Sequence, residues 1–266
     1  MFLLRRLTPA IVTIVTAACF LAFSYRPHLF VSLTGGSTGT LAGITLGLAL
    51  FALSLGMLNI GAYHPLTSRL RFLLFPLTFA SCTFQSLSFV EPGWAVLGGI
   101  TIVSALLWIW YETLYTFWQQ PERYQAYTLQ RLSASLYVVA VFFLIAGMNG
   151  FYVYLQMKFW GVVAFVSLTI FCLLYDMFLL CQFTQNESLV SAIATSFLAT
   201  EAFIAMSYLP TQVYVEALLM AVVFYGLVGI TKLWSQEDFR RSQWLPYVIV
   251  SSACFLLTLS SSLWIF

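Results

Sequence analysis

The chain has 266 residues, of which 61% are hydrophobic and only 8% charged, with a net charge of +2. An ordinary soluble domain carries about a quarter charged residues, so this composition cannot cover a water-soluble core. It also excludes disorder, a coiled coil and a nucleic-acid-binding module, and leaves an all-α, polytopic transmembrane helix bundle within a single integral membrane domain, 1–266.

A spanning helix needs roughly 20 apolar residues. Nine windows meet that length, at 7–25, 38–61, 72–90, 94–118, 132–148, 160–183, 188–208, 212–232 and 245–265. The first follows Arg5 and Arg6 and is read as an uncleaved signal anchor. Gly and Pro mark the joints: Arg26-Pro27, Gly35-Gly36, His64-Pro65, Pro92-Gly93, Pro121, Asn149-Gly150 and Pro210. Asn149-Gly150 is read as the turn that divides the fifth span from the sixth.

Basic residues orient the bundle. Arg5, Arg6, Arg69, Arg71, Arg123, Arg131, Lys232, Arg240 and Arg241 fall on one side, and only Arg26 and Lys158 on the other. This predicts a cytoplasmic N-terminus and an external C-terminus. The loops are too short to house a soluble catalytic domain, so any chemistry belongs among the helices or at their ends.

Small residues suggest where backbones approach. Gly39, Gly43 and Gly47 form a groove along the second span, and Ser191, Thr195, Ala199 and Ala202 form a stripe on the seventh. Such faces serve internal packing, a second copy of the chain or another membrane subunit. The eight tryptophans lie mainly near span ends, as an interfacial belt does.

Ionisable residues inside spans are costly and therefore informative. Glu112 and Asp176 come about 27 Å and 24 Å below the outer ends of their spans, at the cytoplasmic interface. There they are expected to form ion pairs with Arg123 or Arg131. Glu201 comes about 13 Å below the outer surface with no neutralising neighbour in sequence, and Glu216 about 9 Å deep on the next helix. With Gln85 and Asn149 near the same end, these carboxylates outline a polar, outward-facing ligand or ion pocket. Two close carboxylates could also act as acid and base on a lipid, but the reading leans away from an enzyme.

Other motifs carry less. Gly35-Gly36-Ser37-Thr38-Gly39 matches the spelling of a hydrolase elbow but precedes a membrane helix, not a strand-to-helix turn within a sheet. His28 and His64 fall on opposite membrane sides and cannot share a metal, and the five cysteines all sit in apolar runs. No cofactor, metal or nucleic-acid partner is expected; the lipid bilayer is.

Three blocks between Tyr111 and Val250 carry a resemblance: Tyr111–Ala140, Leu173–Glu187, and Glu201–Pro210 followed by Phe224-Tyr225-Gly226 and Gly229. This half of the chain resembles polytopic membrane proteins of candidate-phyla bacteria with reduced genomes, a family of unknown function. The resemblance implies a bacterial plasma membrane and no catalytic activity. The leading expectation is a component that binds or passes a small solute, an ion or a lipid. The alternatives are a scaffold subunit and a lipid-processing enzyme using Glu201 and Glu216.

Overall fold

A computed structural model describes residues 2–25, 38–61, 66–90, 93–125, 128–181, 183–209, 211–235 and 241–261. The helices are α1 (Phe2–Tyr25), α2 (Thr38–Ile60), α3 (Leu66–Leu87), α4 (Trp94–Gln119), α5 (Thr128–Tyr154), α6 (Phe159–Leu180), α7 (Gln185–Ser207), α8 (Val213–Ser235) and α9 (Arg241–Ser261). A short 3-10 turn, Pro121–Arg123, follows α4, with proline at its first position where no N–H is needed. Among the described residues, six helices hold a stretch long and apolar enough to cross a membrane: Arg6–Ser24, Trp94–Gln119, Thr128–Tyr154, Phe159–Leu180, Gln185–Ser207 and Val213–Leu233. Three hold shorter apolar stretches, Thr45–Ile60, Phe72–Leu87 and Trp244–Ser260. The protein is thus an all-helical chain with multi-pass membrane character.

The chain divides into two units, Met1–Ser133 and Ala134–Phe266. In the first unit α1 packs on α2 and α4, and α2 on α3. The buried side of α4 runs Val96, Ile100, Val103, Leu107, Trp110 and Leu114, an alternating four-and-three spacing that keeps one stripe facing its neighbours. Polar side chains lock the stripe: the Tyr111 hydroxyl donates to the Leu53 carbonyl at 2.9 Å, and Trp110 Nε1 to Ser133 Oγ at 3.1 Å. At one end Asn59 donates to Thr8 at 2.9 Å, and Gln119 to the Ile60 carbonyl at 2.9 Å. The close approach of α1 and α2 falls at Gly56, where a Cβ would collide with the Val12 side chain. The sequence placed that groove at Gly39, Gly43 and Gly47. The surroundings of Gly39 and Gly43 lie outside the described residues, and a Cβ on Gly47 would meet open space.

In the second unit α6 packs on α7, α7 on α8, and α8 on α9. Ser188, Ala192, Thr195 and Ala199 form a buried small-residue stripe on α7, and the Thr195 and Thr231 hydroxyls share a 3.1 Å hydrogen bond between α7 and α8. A Cβ on Gly226 would come within 2.7 Å of Ser251 Oγ, and one on Gly229 would enter the Tyr247 ring, so these glycines let α9 lie close on α8. The start of α7 is a capping box: Glu187 N donates to Thr184 Oγ1 at 3.3 Å, and Thr184 N to the Glu187 carboxylate at 3.1 Å.

The expected turn at Asn149-Gly150 is corrected. α5 runs through both residues to Tyr154, because the whole segment from Leu144 to Gly150 is buried and packing outweighs their weak helix propensity. The chain turns instead at 155–158, where Gln156 takes a φ of +50°. The Gly35–Gly39 motif loop lies mainly outside the described residues, and so do His28 and His64.

Candidate functional site

The ends of four helices enclose a cavity of about 110 Å³ in the second unit. Its polar groups come from three places. Asn149 lies five residues before the end of α5, and Glu216 three residues after the start of α8. Asn149 Nδ2 donates to Glu216 Oε2 at 2.7 Å. Thr211 is supplied by the turn between α7 and α8, where its backbone N–H donates to the Leu209 carbonyl at 2.8 Å. The Thr211 side chain is 8% exposed, and among the described residues its hydroxyl has no hydrogen-bond partner. A buried hydroxyl without a partner costs about 1–3 kcal/mol, so a group that bonds it is strongly favoured.

Val153, Phe159, Val162, Phe203 and Val213 supply the cavity's apolar lining, and Tyr152 and Ser207 also line it. None of the residues around the cavity is basic. The Ser207 hydroxyl is already used, donating to the Ile204 carbonyl at 2.7 Å. The site therefore offers one carboxylate held by an amide, one uncommitted buried hydroxyl and three aromatic rings, Tyr152, Phe159 and Phe203. That set suits a compact cation, which can bond oxygen and rest on ring faces. Among the described residues no group of three or more His, Cys, Asp or Glu could hold a metal ion.

Two of the four pocket residues expected from sequence, Asn149 and Glu216, thus meet directly. Gln85 belongs to the first unit, where its Oε1 is buried without a partner among the described residues. Glu201 is exposed on α7 and does not line the cavity, so the two glutamates do not form a shared carboxylate pair there. Thr211 was not anticipated; its one sequence signal is its place after Pro210 at a helix joint.

Of the acids expected to pair with Arg123 or Arg131, Glu112 has another partner. Glu112 pairs with Arg6 at 3.1 Å, bringing α1 to α4, and that guanidinium lies 5.4 Å from the Tyr115 ring centre. The Arg123 side chain lies outside the described residues, and Arg131 is exposed near the start of α5. Asp176 is only 3% exposed, and its carboxylate accepts the Tyr137 hydroxyl of α5. It is a residue buried inside the protein. Tyr137 stands 17 residues before Tyr154 and Asp176 17 residues after Phe159, so the two arms of the α5–α6 hairpin meet at one level. That level is about 25 Å from the turn. Periodicity could not reveal the pair, because the matching level depends on a turn that the sequence misplaces.

No protein-family model, curated protein or solved structure matches the chain.

Proposed function

We propose that the chain is a nine-span protein of a bacterial plasma membrane, cytoplasmic at its N-terminus, that binds a compact cation in the Asn149–Thr211–Glu216 cavity. Binding or passage of that solute, not catalysis, is its role. The observation that carries the reading is the unpartnered, buried Thr211 hydroxyl beside a carboxylate fixed by Asn149. About 110 Å³ holds a few waters, an alkali ion or a small ammonium group, and is too small for a lipid headgroup with its chains.

The nine-span topology draws support from each unit separately. Arg6 meets Glu112, and Thr8 meets Asn59, which brings the start of α1 to the ends of α2 and α4. Asn149 meets Glu216, which brings the end of α5 to the start of α8. Both patterns are those of helices that alternate in direction. The lopsided basic residues and the sequence resemblance supply the orientation and the bacterial membrane.

The test is thermal unfolding of the detergent-purified full chain in sodium, potassium, ammonium and methylammonium chlorides. Ionic strength is held constant with N-methylglucamine chloride. One of the four cations should raise the melting temperature saturably, and Glu216→Gln should abolish that rise while remaining folded. Equal melting in all four salts and N-methylglucamine would refute the cation site.

A further inference from the structure

Glu201 occupies an unusual place. Val190, Ala194, Phe197, Glu201, Ala205 and Tyr208 are all exposed and follow one another at three- and four-residue steps. They form one stripe along α7 and the turn after it, on the side opposite the buried Ala192–Thr195–Ala199 row. Phe197 is 63% exposed and Tyr208 77%. Among the described residues Glu201 makes no hydrogen bond or ion pair. It lies six residues, about 9 Å, inside the Ser207 end of a helix apolar enough to cross a membrane. A glutamate is too short to reach water easily from there, and a carboxylate facing hydrocarbon alone costs several kcal/mol.

We infer that this stripe is a docking face for a transmembrane helix of another protein that carries a basic side chain opposite Glu201. The argument is charge complementarity on an apolar ground. The large exposed side chains supply contact area, and the single acid supplies register and choice of partner. A basic residue is the group that neutralises a carboxylate in lipid by both charge and hydrogen bonds. The face is separate from the cation cavity, and neither depends on the other.

The test uses the full chain, tagged with a donor fluorophore, in phosphatidylcholine vesicles. Acceptor-labelled polyleucine peptides of about 20 residues carry a central arginine, a central aspartate or leucine throughout. Energy transfer to the arginine peptide should exceed that to the other two by an apparent affinity on the order of tenfold. Glu201→Gln should remove the preference, and Glu201→Lys should transfer it to the aspartate peptide. Because Glu201 is exposed, both variants should keep the thermal melting of the parent chain. Equal transfer to all three peptides overturns the inference, as does a preference that survives in Glu201→Gln. Transfer between donor- and acceptor-tagged copies without peptide, lost in Glu201→Gln, also overturns it and assigns the face to a second copy of the chain.

Discussion

Thr211 is a residue whose substitution separates stability from binding. Without a bound group its hydroxyl is buried and unsatisfied, so Thr211→Val removes a polar cost at nearly constant volume. The variant should melt higher than the parent in N-methylglucamine, by about 1 kcal/mol of stability, and should lose most of the rise produced by the cation. A parent-like rise in Thr211→Val would show that the hydroxyl does not touch the cation. The Tyr137–Asp176 contact behaves in the opposite way. Tyr137→Phe keeps the ring and removes one hydrogen bond to a buried carboxylate, so it should destabilise by about 1–3 kcal/mol in the same melting assay. Pocket residues on long helices were legible because depth follows from counting along a helix, which brought Asn149 and Glu216 to one end. Thr211 was not, since its inward direction depends on how a turn folds, and turn direction has no period to read.

Helices record their packing in their glycines, and the structure sorts these by consequence. Gly229→Ala should disrupt the α8–α9 contact, because its methyl group would enter the Tyr247 ring; the expected loss is about 1–3 kcal/mol. Gly47→Ala should be neutral or slightly stabilising, since a Cβ there meets nothing within 4 Å and alanine favours helix. Parallel melting curves of the two variants check the pair. The hairpin turn gives a third case. Gln156 holds a φ of +50°, a region that glycine enters without strain, so Gln156→Gly should stabilise the chain by about 1 kcal/mol. The sequence located the nine helices of the described residues to within a few residues at most ends, since apolar length is a strong signal. Two ends miss by six residues: the third span was begun at 72 when α3 starts at Leu66, and the fifth was ended at 148 when α5 reaches Tyr154. The second miss came from weighing a local Asn-Gly signal against packing that no local window contains.

For the whole molecule the decisive property is which side of the membrane each loop faces. Fusing alkaline phosphatase after Met157 should give an active reporter, and fusing it after Ser235 an inactive one, if the N-terminus is cytoplasmic. The reverse pattern would invert the orientation, and activity at both sites would break the alternation of spans. Charge bias predicts the direction and helix count the alternation, so the two fusions test separate parts of the reading.

The Arg6–Glu112 ion pair sets a timetable for synthesis. The two residues are separated by more than 100 positions, and α1 contacts both α2 and α4. At translation rates of about 5–20 residues per second, Glu112 emerges roughly 5–20 s after Arg6. During that interval the first helix can hold α2 but not its ion-pair partner. A nascent chain arrested before α4 should therefore expose Arg6 to labelling or to neighbouring lipid phosphates. The pairing closes the first unit only when the fourth helix arrives, which makes α4 the step that commits the N-terminal half to its final arrangement.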